Sequence, residues 1–323
     1  MNVLDEWHVE SVSPEEYIAI ADPHIKSVYN KGIFNRLNED NADKVFYLIV
    51  YKKNSPRFAT VFGLVGDELK CPFSAPFGYI ETLKRPNKLS HFYKAYDLIE
   101  DYFLKKTKAD KIKIYMAPYF YDSDAVCAWM NVFFQHGYYV ECCDVNHVLM
   151  DIERLMIDYE NKIHLNARSP LRIALKSDLD FYHCSNKSEW GDAYDIIQEN
   201  HTAKNFPVHM SKEKLIDTLS VVDNDVFVVK KDHKAIAAAI VYHPADKIAQ
   251  IIYWGDIPGY SEYKPMNFIG YKLLDYYTKK SFRYIDIGIS TDYGEANLGL
   301  CDFKESIGCT RTNKYRLKKE IEH

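Results

Sequence analysis

The stretch Arg283-Tyr-Ile-Asp-Ile-Gly-Ile-Ser290 and the stretch Asn297-Leu-Gly-Leu-Cys-Asp-Phe-Lys-Glu-Ser-Ile-Gly308 together set the expected fold. Alternating isoleucines in the first stretch predict a strand with one buried face. The second stretch predicts a loop and a short helix that carries Phe303 and Lys304. A weaker version of this layout lies in the first half, where a predicted strand at 111–118 precedes a predicted helix that ends at Gly137. Two copies of one unit indicate a tandem-domain protein, with the cleft between the copies as its expected working site.

The order of predicted elements is the same in both halves. Hydrophobic periodicity and turn residues give a meander of strands, a long helix, a strand, a shorter helix and a closing strand. In the second half, predicted helices at 189–200 and 211–219 precede this series. The predicted strands of the series are 45–51, 58–65, 77–80, 112–116 and 147–152 in the first half and 226–229, 235–242, 248–254, 284–289 and 315–317 in the second, and the predicted helices are 90–105, 125–135, 266–279 and 302–306.

This repetition predicts two domains, at 1–152 and 179–323. The segment 153–178 between them is expected to be a helical connector, a pair of helices broken at Pro170.

Composition limits the classes of function that the chain can have. The 323 residues include 41 Lys and Arg against 46 Asp and Glu, and the net charge of −5 disfavours general nucleic-acid binding. Met1 to Glu10 is acidic and polar, unlike a signal peptide, and no apolar run is long enough to span a bilayer. We therefore expect a cytoplasmic protein without a membrane span.

Cysteine usage favours free thiols over disulfides or a metal site. The seven cysteines form no Cys-x-x-Cys pair. Cys142, Cys143, Asp144 and His147 form a cluster of ligand types, but strand alternation sends Cys142 and Cys143 to opposite faces. No metal is expected.

The element order resembles that of the GNAT acyltransferase fold. The tandem arrangement is similar to the Fem-type branch, the peptidoglycan aminoacyltransferases and their GNAT relatives encoded with cell-envelope polysaccharide genes. The resemblance covers most of the chain, and it rests on Arg168-Ser-Pro-Leu-Arg172-Ile-Ala-Leu-Lys176, Asn267 to Tyr277, Tyr284-Ile-Asp-Ile-Gly288, Gly299-Leu-Cys-Asp-Phe-Lys304 and Gly308. It implies an α/β (α+β) fold of two tandem GNAT-like domains, each a mixed, mostly antiparallel sheet flanked by helices.

One part of the chain departs from the GNAT pattern. An acyl-CoA-binding GNAT domain usually has a glycine-rich loop before its central helix, where backbone N–H groups hold the pyrophosphate. The corresponding segments here, Tyr260 to Asn267 and Thr82 to Ser90, have no glycine. Fem-type proteins also lack a conventional loop. The missing loop fits the Fem-type branch and weakens the case for acyl-CoA. Acyl-CoA and aminoacyl-tRNA both stay candidate donors.

Four residues are candidate catalytic groups. Lys304 occupies the lysine position of the Fem-type Phe-Lys motif, which implies stabilisation of negative charge on the acyl carbonyl; the alternative is a surface lysine paired with Asp302 or Glu305. Asp286 and Asp256 are candidate general bases, with a structural carboxylate and a turn residue as the respective alternatives. Tyr293, in the loop after the central strand, is a candidate general acid.

Seven further residues are candidate binding groups. Tyr260, Lys264 and Asn267 lie at the start of the helix that would face a donor phosphate. Tyr253 lies where GNAT domains separate two strands and admit substrate. Arg168, Arg172 and Lys176 of the connector are a candidate phosphate-binding rim, because Arg172 and Lys176 share a helix face; the alternative is a solvated linker surface.

The resulting hypothesis is transfer of an acyl or aminoacyl group from a small-molecule donor to an amine, on a nucleotide-linked sugar or another cell-envelope precursor. The second half is expected to hold the catalytic groups. Two alternatives stay open: a conventional acetyl-CoA N-acetyltransferase with an atypical donor loop, and a non-catalytic pair of GNAT folds that binds a nucleotide-linked metabolite.

Overall fold

The chain forms two compact units in a computed structural model that describes residues 7–85, 87–204 and 208–321. Unit 1 comprises Met1–Asp144 together with Asn313–His323, and unit 2 comprises Val145–Thr312. These bounds differ from the predicted domains at 1–152 and 179–323 and the predicted connector at 153–178. The connector segment lies inside unit 2, and unit 1 includes a stretch from the far end of the sequence.

Unit 1 is built from a sheet and four helices in its described residues. In chain order its elements are β1 Trp7–Val12, α1 Pro14–Ile20, α2 Gly32–Arg36, β2 Lys44–Lys52, β3 Ser55–Val65, β4 Glu68–Cys71, β5 Glu81–Thr82, α3 Leu89–Lys106, β6 Lys111–Tyr115, α4 Ser123–Gln135 and the beginning of β7 Tyr139–Met150. The predicted strand at 77–80 is wrong, because those residues form an irregular segment between β4 and β5. Gly78 N–H donates there to the carbonyl of Tyr115, outside any ladder.

Unit 2 contains the segment predicted to carry the chemistry. Its elements are the end of β7, α5 Ile152–Met156, α6 Tyr159–Lys162, α7 Leu165–Lys176, β8 Asp180–Cys184, α8 Lys187–Ala203, α9 Lys212–Leu219, β9 Asn224–Lys231, β10 Lys234–Ala245, β11 Ile248–Asp256, α10 Pro265–Lys279, β12 Tyr284–Ile289, β13 Thr291–Asp292, β14 Glu295–Ala296, α11 Leu298–Ser306 and the beginning of β15 Thr310–Glu320. The predicted break at Pro170 is wrong, since α7 continues through this residue.

Both units have mixed, mostly antiparallel sheets. In unit 1 the strand order is β1-β2-β3-β4-β6-β15, with β5 also paired to β3; β4 and β6 are parallel and the other neighbours antiparallel. In unit 2 the order is β7-β12-β11-β10-β9-β8, and only the β11–β12 pair is parallel among these described strands. The predicted fold class is therefore confirmed.

Apolar periodicity explains how α10 packs in unit 2. Its buried residues include Phe268, Ile269, Leu273 and Tyr277; the last three recur every four residues and so lie on one face of the helix, with Phe268 adjacent to it. The periodicity of 266–279 predicts that Ile269, Leu273, Tyr276 and Tyr277 face inward; Ile269, Leu273 and Tyr277 are buried, and Tyr276 is partly buried. The helix is thereby fixed against the sheet, and its first turn reaches the region where β11 and β12 separate.

A network of charged side chains stabilises the other end of the unit 2 sheet. Asp225, at 4% exposure, accepts from Tyr277 at 3.0 Å and lies 3.0 Å from His243 Nε2. The second ring nitrogen of His243 is 3.0 Å from Asp223. Burial lowers the pKa of His243, but the hydrogen bonds to Asp225 and Asp223 outweigh burial, so the net change is upward. The folded protein therefore favours the imidazolium form.

This network makes stability depend on pH in a defined direction. Because the folded pKa of His243 is raised, its contribution is fully present below the unfolded value of about 6.5 and is lost as pH rises through the folded pKa. We expect His243→Gln to lower the free energy of unfolding by about 2 kcal/mol at pH 6 and by less at pH 9. Urea unfolding at several pH values measures this, with the exposed His164→Gln as control; a pH-independent difference would contradict the assignment.

None of the helices in the described parts of the chain combines the length and apolar character needed to cross a lipid bilayer.

Candidate active site

The two central strands of unit 2 separate after a short parallel pairing. Their register comprises Ile248 opposite Tyr284, Ala249 opposite Ile285 and Gln250 opposite Asp286, and it ends there. On the other side of β12, the ladder with β7 is irregular between Asp286 and Gly288. Gly288 has φ +76°, a left-handed conformation that glycine adopts without strain. The end of β12 is thus bent at the level where β11 diverges from it.

A pocket of about 1130 Å³ opens where these strands diverge. It lies within unit 2, and its walls are mostly apolar with polar groups at the rim. The β11 wall comprises Ile251, Ile252, Tyr253, Trp254 and Gly255; the wall that follows β12 comprises Ile287, Ile289, Ser290, Thr291 and Asp292; the remaining lining residues are Asn200, His201, Lys204, His209, Met266, Glu295, Ala296, Asn297, Gly299, Leu300, Phe303 and Lys304.

Lys304 is a buried cation in the wall of this pocket. Its side chain enters from α11, and the residue is 2% exposed. The ammonium group donates to the main-chain carbonyls of Ile287 and Gly288, both at 3.0 Å, and of Ile289 at 2.9 Å. Burial lowers the pKa of Lys304 to about 8. An ammonium has three N–H groups, and these carbonyls accept all three, so in this geometry Lys304 acts on the pocket through its charge.

Asp286 is fully buried and is not part of the pocket lining. Its carboxylate accepts from Asn146 Nδ2 at 2.8 Å, Gln250 Nε2 at 3.1 Å and the Gly288 N–H at 3.0 Å. These donors come from β7, β11 and the bend of β12. The carboxylate therefore joins three backbone segments at the point where the strands begin to separate, which agrees with the structural alternative for this residue.

The other candidate catalytic groups lie around the pocket without lining it. Asp256 ends β11, where its main-chain carbonyl accepts from Asn200 Nδ2 at 2.6 Å and its carboxylate lies 3.8 Å from Lys204 Nζ. Tyr293 is 63% exposed in the turn between β13 and β14. Of the candidates from the sequence, Lys304 and Tyr253 belong to the lining.

The candidate donor-binding residues lie just before and within the first turn of α10. Lys264 adopts a left-handed conformation with φ 53° and ends a short turn of 3₁₀ helix. The Tyr260 ring lies 5.0 Å from Lys234 Nζ. Asn267 N–H donates to the Lys264 carbonyl. Of this region only Met266 reaches the pocket lining.

The connector cations lie on α7, outside the pocket lining. Arg168 donates to the carbonyl of Asn161 at 2.8 Å, and Arg172 Nε donates to Glu160 at 2.6 Å. Arg172 and Lys176 are both exposed, as their spacing of four residues predicts for one helix face. Their use as a phosphate-binding rim stays a prediction.

Several lining residues had no signal in the sequence that pointed to a site. Trp254 comes from β11, and its ring lies 5.9 Å from the ring of Phe303, the residue before Lys304 in the Phe-Lys motif. His201 and Asn200 come from α8, which helical periodicity identified only as a packing element. Aromatic residues in strands and polar residues near the end of a helix are common in protein cores. These positions can therefore be identified as part of a site only once the divergence of β11 and β12 is known.

Comparisons with protein-family profiles and with curated protein sequences give no match. Solved structures do match over nearly the whole chain. FemX aligns with a TM-score of 0.71 at 11% identity, covering 97% of each chain. The fold is Fem-like. This confirms the resemblance predicted from the sequence.

Two further structures share the Fem-like fold. The C-terminal domain of a putative lysylphosphatidylglycerol synthetase from Agrobacterium fabrum aligns with a TM-score of 0.60 at 12% identity, over 96% of this chain and 93% of that one. The L-PGS from Bacillus licheniformis aligns with a TM-score of 0.59 at 11% identity, over 97% and 94%. At this level of identity the likeness concerns the backbone arrangement, and the chemistry has to be argued from the side chains of this chain.

Proposed function

We propose that this chain transfers an acyl or aminoacyl group to an amine, with the acyl donor bound in the unit 2 pocket. The observation that carries the proposal is the divergence of β11 and β12, which opens a pocket of about 1130 Å³ beside the buried ammonium of Lys304. Such a pocket admits an extended acyl donor between two strands and places its carbonyl near a fixed positive charge.

The pocket walls suit transfer to an amine in preference to water. Ile251, Trp254, Ile287 and Phe303 form an apolar wall, and an apolar wall reduces hydrolysis by limiting the access of water. Negative charge develops on the acyl oxygen during attack, and the Lys304 ammonium lowers the free energy of that state more in a dry pocket than in water.

The part of the pocket rim formed by Lys204 and His209 suits an anionic donor, whereas Asp292 and Glu295 add two exposed carboxylates to the lining. Lys204 and His209 are exposed there, beside the partly buried His201. A cation at this rim attracts phosphate groups, which acyl-CoA and aminoacyl-tRNA both carry. The acceptor we propose is an amine on a nucleotide-linked sugar or another cell-envelope precursor.

The names of the structural neighbours favour an aminoacyl donor over acetyl-CoA. Lysylphosphatidylglycerol synthetase is named for an aminoacylated product, and the segment before α10 in this chain has no glycine-rich loop for a pyrophosphate. The missing loop also motivates the second candidate, a protein that binds a nucleotide-linked metabolite without turnover.

Ligand-induced stabilisation tests the proposal. The full chain is heated with acetyl-CoA, with coenzyme A, with an aminoacyl-tRNA and with a panel of nucleotide-linked amino sugars. A ligand at about 100 times its Kd is expected to stabilise the fold by about 2.7 kcal/mol. Ile252→Trp, which fills part of the pocket, is expected to abolish the shift, whereas Ile173→Trp on the exposed face of α7 preserves it.

The outcomes separate the candidate functions. A shift with acetyl-CoA supports the acetyltransferase alternative. A shift with aminoacyl-tRNA, together with product formation when a nucleotide-linked amino sugar is added, supports the proposal. A shift with a nucleotide sugar and no product with any donor supports the binding protein. Stabilisation by a donor that is equal in Ile252→Trp would contradict donor binding in the unit 2 pocket.

A further inference from the structure

A buried histidine lies next to the pocket wall in unit 2. His147 is fully buried on β7, and its two ring nitrogens face two different side chains. Nδ1 is 2.8 Å from Ser290 Oγ, and Nε2 is 3.3 Å from Glu305 Oε1. Ser290 directly follows β12 and belongs to the pocket lining. An imidazole thus connects a hydroxyl group at the pocket to a carboxylate.

These partners determine which ring nitrogen of His147 carries the proton. Burial lowers the pKa of His147 and outweighs the opposing effect of Glu305, and the positive charges of Lys304 and Arg311 act in the same direction as burial. The ring is therefore neutral at neutral pH and has one N–H group. An ionised carboxylate only accepts hydrogen bonds, so the N–H lies at Nε2 and the lone pair of Nδ1 faces the Ser290 hydroxyl.

The first turn of α11 lies next to Ser290. The Asn297 N–H donates to the Ser290 carbonyl at 3.0 Å, which places the first turn of α11 next to the hydroxyl-bearing residue. The first N–H groups of a helix have no partner within the helix. Asn297 caps the N–H of Leu300, and the N–H groups of Leu298 and Gly299 precede it. The dipole of this turn and the charge of Lys304, whose ammonium contacts the carbonyl of the adjacent Ile289 at 2.9 Å, both favour negative charge near Ser290.

We propose that Ser290 is a nucleophile that carries the acyl group during transfer, with His147 as its general base and Glu305 as the residue that positions His147. This inference rests on the proposed acyl transfer in the unit 2 pocket. A nucleophile, a base within hydrogen-bond reach and a third group that orients the base form the arrangement that activates serine in enzymes on unrelated folds.

The proposed transfer takes two balanced steps. In the first, Ser290 Oγ bonds to the acyl carbon and its proton passes to His147 Nδ1; the bond from that carbon to the donor oxygen or sulfur then breaks, and the leaving group takes the proton. In the second, the acceptor amine bonds to the same carbon and gives a proton to Nδ1. The bond from carbon to Oγ then breaks, and Oγ takes the proton back.

An activated ester tests this without knowledge of the natural donor. The full chain is mixed with p-nitrophenyl acetate, and we expect a burst of about one equivalent of p-nitrophenolate per chain, with an acetyl group on the peptide that contains Ser290. Ser290→Ala is expected to lose the acetylated peptide and to slow the burst by at least about 10²-fold. Ser306→Ala, which removes another buried serine hydroxyl in α11, is expected to keep both.

Two further variants separate chemistry from folding. Ser290→Cys is expected to restore a burst and an acetylated peptide, because a thiol is also a nucleophile. Glu305→Gln is expected to move the pH dependence of the burst to lower pH, since the carboxylate raises the pKa of His147 and the amide has no charge. An unchanged pH profile would show that Glu305 does not position the base.

Failure of this inference can be told from failure of the proposed function. Acyl transfer that is unaffected by Ser290→Ala, or an acetyl group on another residue only, overturns the nucleophile and leaves the transferase. A burst that depends on Ser290, in a protein that neither acetyl-CoA nor aminoacyl-tRNA stabilises, supports the nucleophile and overturns the proposed donor binding.

Discussion

Lys304→Met is expected to lower acyl transfer by about 10²-fold or more, because removal of a single group that stabilises an oxyanion typically has an effect of this size. The same change leaves the carbonyls of Ile287, Gly288 and Ile289 without their charged donor. Buried acceptors that lose a partner cost about 1–3 kcal/mol, and relief from burying an ammonium offsets part of this loss. We therefore expect a stability loss of about 2 kcal/mol, with a larger effect on rate.

The pH dependence of stability identifies the contribution of the charge. The pKa of Lys304 is lowered from its ordinary value of 10.5 to about 8, so the cost of burying the ammonium is fully present below pH 8 and decreases as pH rises toward 10.5. Wild-type stability should rise over this interval, and that rise should be absent in Lys304→Met. Lys279→Met, at a lysine that is paired with Asp275 on the surface, is the control for the loss of a positive charge.

Activity measured with the donor that stabilises the wild-type protein decides the role of Lys304. A variant that unfolds at lower urea concentration but transfers acyl groups at the wild-type rate would show that Lys304 only fixes the end of β12.

Asp286→Ala is expected to reduce the free energy of unfolding by about 3–5 kcal/mol, because three buried donors lose their acceptor and each unsatisfied group costs about 1–3 kcal/mol. The substitution leaves Asn146 Nδ2, Gln250 Nε2 and the Gly288 N–H without the carboxylate that joins them. Three segments lose a shared acceptor at once, so we expect β11 and β12 to lose their fixed separation. Urea unfolding measures the loss, with Asp292→Ala at an exposed carboxylate of the pocket as the matched control.

Asp286→Asn separates the structural role from a role as general base. The amide keeps the shape and one acceptor oxygen, but its NH₂ group faces groups that are donors themselves. We expect a smaller stability loss, about 1–3 kcal/mol, and an acyl-transfer rate that changes little in the fraction that stays folded. A loss of rate of about 10²-fold or more at wild-type stability would instead identify Asp286 as the base.

The fold could be predicted because the informative pattern is local. Alternating Ile285, Ile287 and Ile289 define a strand by themselves, and the apolar face of 266–279 defines a helix. Two predictions were wrong, the strand at 77–80 and the helix break at Pro170. Each rested on a local signal, apolar composition in the first case and a proline in the second, and tertiary packing overrides such signals.

The candidate site could be predicted only in part, because its geometry depends on residues far apart in the chain. The Phe-Lys motif identified Lys304. No sequence pattern, however, indicates that its ammonium group donates to three main-chain carbonyls. Ser290 and His147 are separated by 143 positions. The sequence marked His147 only as part of a cluster of metal-ligand types with Cys142, Cys143 and Asp144, and it gave no sign of a pairing with Ser290. Their meeting follows from the antiparallel pairing of β7 with β12, which element order alone does not specify.

Unit 1 is formed from two separate stretches of the chain, and this affects the order in which the units can fold during synthesis. Its strand β6 pairs with Arg316–Glu320 of β15, and Arg316 Nε lies 2.8 Å from the fully buried Asp144. The ribosome makes this stretch only after the whole of unit 2. Until then one edge of β6 in the nascent first unit is unpaired, and Asp144 lacks the contact with Arg316. An unpaired strand edge favours pairing with other chains. We therefore expect that unit 2, although it is translated later, can complete its sheet first.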